Sequence, residues 1–167
     1  MFLVGIVLVI VGSAVHIMLM RQPRNITNIL GTVLSYFFIF VVAFSGLMAF
    51  LGHTFRADEV AQQIGWSPGS PFQFEVAVAN LVFAVLGLLT IWFRGNFWLA
   101  TAIGYAVFMM GAGVVHIREL IIAGNRNPLN AGAMILTADL ALPVILLLLV
   151  MVHRRLTAPV NSDRYLR

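Results

Sequence analysis

The hydrophobic pattern of the chain consists of five long apolar stretches separated by short polar connections. The stretches cover about residues 2–20, 28–52, 71–93, 97–121 and 132–152. A helix rises about 1.5 Å per residue, so roughly 20 apolar residues cross a hydrocarbon core of about 30 Å. The pattern therefore predicts five transmembrane helices in a single domain, residues 1–167. The first stretch lacks a basic n-region and a convincing cleavage site, which favours an uncleaved span over a signal peptide.

The connections between these stretches predict how the helices are arranged. Those near residues 21–27, 94–96 and 124–131 are short. Short connections join antiparallel neighbours, so we expect an all-α, up-and-down bundle. The one long connection is the outer loop 53–70. Within it, residues 58–64 predict about two turns of helix on the membrane surface, ended by Gly65 and anchored at headgroup level by Trp66.

Charge sets the expected orientation. The chain is 61% hydrophobic and 10% charged, it carries a net charge of +4, and all ten of its basic residues are arginine. Seven arginines fall on one side of the predicted bundle (Arg21, Arg24, Arg94, Arg154, Arg155, Arg164 and Arg167), and three fall on the other (Arg56, Arg118 and Arg126). The positive-inside rule then predicts an outer N-terminus and a cytoplasmic tail 153–167, in a multi-pass protein of the cytoplasmic (inner) membrane. The basic charge thus needs no nucleic-acid partner.

A polar motif, residues 65–75, introduces the third stretch. Ser70 is placed as an N-cap, Pro71 as the first helical residue and Gln73 as the third residue of a capping box. Glu75 follows one turn into the helix. A carboxylate there is compatible with the helix dipole and with interfacial water, and it is also a candidate for ligand binding or proton transfer.

Asp139 is the acidic residue that most requires a partner. An aspartate near the centre of a membrane helix costs about 2.5–3.5 kcal/mol unless it is paired or hydrated. Pro143 has no N–H, so it also leaves the Asp139 carbonyl without its usual helical donor. Asn80 and Tyr105 are candidate hydrogen-bond partners. The alternatives are a bound cation or a proton path.

Four histidines extend the candidate chemistry. His116 shares a predicted helical face with Tyr105 and Glu119, at a depth similar to that of Asp139. With His53, these residues suggest a metal set of His53, His116 and Glu119, of a kind that suits zinc, iron or manganese. Haem ligation by two histidines needs both at the same depth in the membrane. The pairs that meet this condition are His53 with His116 and His16 with His153, although no haem-binding spacing accompanies them.

Two groups of residues carry a family resemblance: the motif Gly65–Glu75 running into Asn80, and a later set made up of His116, Asn130-Ala131-Gly132, Asp139 and Pro143. In these residues the chain resembles an uncharacterised family of small bacterial and archaeal membrane proteins, a domain of unknown function. The resemblance covers about the last two thirds of the chain and rests on the pattern GWxxxSPFQxE. It implies the fold and the topology. It carries no catalytic role.

Several functional classes remain open. Cysteine is absent, and no nucleotide-binding, nucleophile-elbow or zinc-protease motif occurs. The leading hypothesis is an accessory subunit or a small-ligand-binding module that uses Glu75, Asn80, Tyr105, His116 and Asp139. Its candidate protein partners are a larger membrane complex or further copies of the same chain in a homo-oligomer. The alternatives are a redox enzyme or subunit with metal, haem or quinone, and a small ion- or proton-coupled transporter. The sequence identifies no cofactor, and the partner that it does predict is the lipid bilayer.

Overall fold

The structure is a computed structural model that describes residues 2–132 and 135–158, and in this part of the chain all regular structure is helical. Six helices follow one another there: α1 (Phe2–Leu19), α2 (Ile26–Phe55), α3 (Ala57–Ile64), α4 (Phe72–Leu89), α5 (Asn96–Ile122) and α6 (residues 135–157). All of them except α3 occupy the predicted apolar stretches. α6 continues to Thr157, so the first part of the predicted tail is helical. The rest of that tail, residues 159–167, lies outside the described residues.

Two of the helices contain a π-helical segment. One spans Phe38–Phe44 within α2, and the other, Ile135–Ala141, opens α6. A π turn accommodates one more residue than an α turn and so changes which side chains point inward further along the helix. Phe38 and Val42 are completely buried in the first segment. The hydrophobic pattern alone gave no sign of either segment.

α2 is the central helix of the bundle. It packs against α1, α4 and α6, and α6 packs in turn against α5. The largest buried side chains come from α2, α5 and α6, namely Leu34, Phe38, Trp98, Leu146 and Val150. α4 and α5 are joined by the tight turn at Gly95 and meet mainly through aromatic contacts, such as that between Phe83 and Tyr105.

Small residues allow α2 and α4 to approach closely. A Cβ on Gly46 would lie 2.8 Å from the carbonyl oxygen of Asn80. A Cβ on Gly87 would lie 2.9 Å from the carbonyl oxygen of Phe38. A real Cβ at these distances would clash, so only glycine fits at the two positions. This requirement explains why small residues recur along α2 and α4.

The outer surface of the bundle is strongly apolar. Four helices in the described residues are long and apolar enough to cross a membrane: α2, α4, α5 and the segment Thr137–Thr157 of α6. In the most apolar 18-residue segment of each of these helices, only 22–39% of the residues are buried, and the remaining residues face outward. In water this surface would be unfavourable, so it suggests a membrane protein. The first helix is apolar but short, at Leu3–Leu19, so length and composition identify four candidate spans against the five predicted from the sequence.

The polar motif before α4 differs from its predicted form. The predicted helix in the long connection is present as α3, and it ends at Gly65, whose φ of 91° is a left-handed conformation that suits glycine. The capping box, however, is absent. The helix cap is Pro71, and the Gln73 side chain points into the bundle, where its Oε1 lies 2.5 Å from His53 Nδ1. Burial of Gln73 beside an imidazole replaces its predicted bond to the Ser70 backbone.

The two ends of the bundle differ in charge. We call one the arginine-rich end, formed by residues 19–26, 89–96 and 153–158, where Arg21, Arg24, Arg94, Arg154 and Arg155 lie. The other is the loop end, formed by residues 53–71 and 122–132. Antiparallel helices place His53, His116 and Asp139 toward the loop end, and His16 and His153 toward the arginine-rich end.

Candidate functional site

The site begins with the π-helical segment at the start of α6, which carries Asp139. Asp139 is 4% exposed and is the only acidic residue of α6. Pro143 is buried two residues beyond the segment, in the first turn of the α-helical part of α6, where its lack of a backbone N–H is compatible with the change from π to α geometry. Gly113 of α5 provides the space opposite, because a Cβ on Gly113 would lie 3.2 Å from the Cβ of Asp139.

Asp139 faces His116 of α5. The Oδ2 atom of Asp139 lies 3.9 Å from Nε2 of His116, and the two side chains are 5% and 12% exposed. This separation is within the range of an ion pair and longer than a direct hydrogen bond. The carboxylate therefore has a nearby imidazole as its partner within the described residues.

Asn130 holds the other side of the imidazole. Its Oδ1 lies 2.9 Å from Nδ1 of His116, and the asparagine is completely buried. The Asn130 amide nitrogen donates to the carbonyl of Asn125 at 2.9 Å. Because the nitrogen is fixed by that carbonyl, the oxygen of the amide must face the imidazole.

This arrangement determines the tautomer of His116. Since Asn130 offers an acceptor, Nδ1 of His116 carries a hydrogen and donates it. In the neutral imidazole, Nε2 then presents a lone pair toward Asp139. Two acceptors would face each other across 3.9 Å, so the pair requires one shared proton or a donor placed between its members.

The loop end closes over this pair. The ring of Trp66 stacks on His116 with a centroid distance of 6.4 Å and an interplanar angle of 12°. The backbone N–H of Leu129 donates to Gln63 at 3.0 Å, and the Asn125 amide donates to the carbonyl of Ile64 at 2.8 Å. These bonds dock the end of α3 onto the loop that follows α5 and bring Trp66 to the site, while its place at headgroup level stays a prediction.

The other predicted ligand-binding residues do not join this pair. Glu75 is exposed in the first turn of α4. Asn80 is buried, but its amide donates to the carbonyl of Val76 in its own helix at 2.9 Å. Tyr105 is buried against Phe83. Of the five candidates, the structure pairs His116 directly with Asp139, and the buried hydroxyl of Tyr105 is near enough to interact electrostatically with the Asp139 carboxylate.

The predicted metal ligands are also dispersed. His53 is bonded to Gln73, His116 to Asn130, and Glu119 has Arg118 at 3.9 Å. Among the residues that the structure describes, no group of three or more histidine, aspartate or glutamate side chains is placed to hold a metal ion. His53, His116 and Glu119 therefore share no common point, because each side chain is directed to a different neighbour.

Sequence reasoning did not place Asn130 and Trp66 at the site. Both belong to segments that carry the family resemblance, yet both lie in connections, where helical periodicity gives no information about side-chain direction. A hydrophobic pattern does not distinguish a buried asparagine in a loop from an exposed one.

The fold and the site together define a class: a small all-helical bundle, with helices apolar enough for a membrane, that encloses a histidine–carboxylate pair near one end. Comparison with family models shows the group to which it belongs. The chain is a member of the family of unknown function DUF6790, whose match covers residues 1–159. Neither the curated proteins nor the solved structures give a match to the chain.

Proposed function

We propose that the protein is a non-catalytic binding module of the cytoplasmic membrane, which holds a small hydrogen-bond-donating cation, a primary ammonium group, between His116 and Asp139. The observation that carries the proposal is the buried approach of His116 Nε2 to Asp139 Oδ2 at 3.9 Å, with Asn130 bonded to the other ring nitrogen. The chain spans the membrane five times in this proposal, with the arginine-rich end in the cytoplasm, in accordance with the positive-inside rule.

The spacing of the two acceptors suits one donor atom. A nitrogen placed about 2.8 Å from each of two acceptors can donate one hydrogen to each of them. A primary ammonium has the two hydrogens required, and its charge balances the carboxylate. An aspartate inside an apolar bundle gains most from a partner of this kind.

The surroundings favour an organic cation over a metal ion. A zinc site takes three or four protein ligands, and among the described residues no group of three or more histidine, aspartate or glutamate side chains converges here. Trp66 adds an aromatic ring beside the imidazole, and aromatic faces attract cations. The contacts between α3 and the loop after α5 shield the pair from bulk water.

Methylammonium is a suitable probe. We would label the histidines with ¹⁵N, assign His116 with the variant His116→Gln, and titrate the protein in nanodiscs at constant pH. Methylammonium chloride should shift the Nε2 resonance of His116 in a saturable way. Tetramethylammonium chloride is the matched control, because it has the same charge and no N–H donor.

Asp139→Asn tests the role of the carboxylate. The substitution keeps the shape and removes the charge, so we expect methylammonium to bind at least tenfold more weakly. Thermal unfolding monitored by circular dichroism checks that the variant is folded. Equal shifts with both ammonium ions, or unchanged binding in a folded Asp139→Asn variant, would contradict the proposal.

A further inference from the structure

A cavity of about 720 Å³ lies at the arginine-rich end, at the opposite end of the bundle from the His116–Asp139 pair. α1, α2, α6 and the turn between α4 and α5 surround it. Its polar lining includes His16, Arg21, Thr32, Ser35, Arg94 and His153. A volume of this size lies within the range of about 300–1,000 Å³ that is typical of small-molecule sites.

The charge of this cavity is entirely basic within the described residues. The five acidic side chains in that part of the chain all lie toward the loop end: Asp58, Glu59, Glu75, Glu119 and Asp139. Arg21 and Arg94 form no ion pair with a described residue. Arg94 lies over the ring of Trp98 at 5.3 Å, which orients its guanidinium plane while the N–H edges remain available. The cavity is therefore suited to an anion.

Two hydroxyl groups add hydrogen-bond acceptors beside the arginines. Thr32 donates its hydroxyl hydrogen to the carbonyl of Asn28, and Ser35 donates to the carbonyl of Gly31, both at 2.9 Å. Each oxygen is then left with lone pairs to offer to the cavity. A ligand that fits both features carries an anionic group together with hydroxyl donors.

The apolar part of the lining indicates an amphiphile. Phe40 and Ile91 contribute to the cavity. Leu19 and Trp92, which adjoin the lining residues Met20 and Ile91 in sequence, are 76% and 68% exposed. An exposed tryptophan at the end of an apolar helix is typical of the membrane–water interface. The cavity thus lies where lipid headgroups are found.

We infer that this cavity binds the headgroup of an anionic phospholipid that carries hydroxyl groups, as phosphatidylglycerol does. The phosphate lies between Arg21 and Arg94, and the hydroxyls donate to Thr32 and Ser35. A soluble polyol phosphate has the same chemistry, but the apolar walls favour the lipid. This site is independent of the ammonium site at the loop end.

The two histidines form part of the wall. Nε2 of His153 lies 3.2 Å from the position that a Cβ on Gly31 would take, and its ring packs on Trp98 at 5.5 Å. His16 meets Tyr36 edge to face at 5.7 Å. His16 and His153, the pair suggested for haem by depth, therefore line one cavity. Because haem would compete with a lipid for this cavity, the test includes an absorption spectrum of the purified protein.

Native mass spectrometry of the delipidated full chain measures the binding directly. Phosphatidylglycerol, phosphatidylcholine and glycerol 1-phosphate would be added separately at equal concentrations. We expect one phosphatidylglycerol per chain and at least tenfold weaker binding of phosphatidylcholine, which is neutral overall. Glycerol 1-phosphate separates the two sources: if it binds as tightly as the lipid, the phosphate site is supported and its ligand is a soluble ester.

Arginine variants locate the site. Arg21→Gln and Arg94→Gln should each weaken phosphatidylglycerol binding at least tenfold, equivalent to about 1.4 kcal/mol. Arg94→Lys, which keeps the charge, should retain part of the affinity and preserves the test if the glutamine variant unfolds. Arg118→Gln is the matched control, because Arg118 is 68% exposed at the loop end.

Three results would overturn the inference. The first is equal binding of phosphatidylcholine and phosphatidylglycerol. The second is wild-type affinity in folded Arg21→Gln and Arg94→Gln variants. The third is a haem spectrum in the purified protein that disappears in His16→Ala, since haem would then occupy the cavity.

Discussion

Replacing Asn130 with leucine tests the geometry on which the candidate site depends. Asn130 is completely buried, accepts from Nδ1 of His116 and donates to the carbonyl of Asn125. Leucine has the same branching and the same number of side-chain heavy atoms, although it is larger, and it has neither polar atom, so the substitution leaves one donor and one acceptor without a partner. Each unsatisfied buried group costs about 1–3 kcal/mol. We expect Asn130→Leu to lower the free energy of unfolding by about 2–4 kcal/mol, because Asn125 is half-buried and water relieves part of the loss.

Two measurements are needed to check this expectation. Chemical or thermal unfolding in one detergent gives the loss of stability, and ¹⁵N spectra of labelled histidine give the tautomer of His116. In the parent protein Nδ1 should carry the hydrogen, and in Asn130→Leu this preference should be lost. Asn130→Asp keeps an acceptor oxygen toward the imidazole and should retain the Nδ1–H form.

Gln62→Leu provides the control for Asn130→Leu. It also replaces an amide with leucine, but at an exposed position of α3. Its effect on unfolding should stay within about 0.5 kcal/mol. The interpretation of the site would be refuted if Asn130→Leu were as stable as Gln62→Leu, or if the tautomer of His116 were the same with and without Asn130.

Two further predictions use pairs of glycines with matched backbone conformations. Gly113→Ala should lower the free energy of unfolding by about 1–3 kcal/mol and weaken methylammonium binding, because the new methyl group meets Asp139. Gly111→Ala is the control: a methyl group there has no neighbour within 4 Å, so stability should be unchanged or slightly higher and binding should be unchanged. Gly65→Ala and Gly69→Ala both place alanine at positive φ, but only Gly65 is crowded, so thermal unfolding should show the larger loss for Gly65→Ala; equal losses would contradict the docking of the loop.

Long apolar stretches were sufficient to predict five of the six helices in the described part of the chain, whereas the number of times they cross a membrane stays a prediction. Uninterrupted apolar stretches have few alternatives to helix in an apolar medium, and the polar breaks between them set the connections. The helix from Ala57 and its end at Gly65 followed from local sequence as well, since a left-handed residue at a helix end favours glycine. These features depend on neighbours along the chain.

The direction of individual polar side chains was harder to predict. Gln73 was expected to cap its own helix, but it binds His53 from another helix. The two π-helical segments contribute to this difficulty, because each changes the angular register of the residues that follow. An extrapolation at 100° per residue therefore loses accuracy across Phe38–Phe44 and Ile135–Ala141.

The sequence by itself determined the apolar helices, the asymmetric distribution of arginines and the requirement that Asp139 find a partner, because these follow from composition and from spacing along one chain. Only the tertiary structure decided that the partner is His116, that Asn130 orients it, and that His16 and His153 line one cavity. Those contacts join segments far apart in sequence, and they depend on helix rotation and close packing at glycine, which a one-dimensional pattern does not contain.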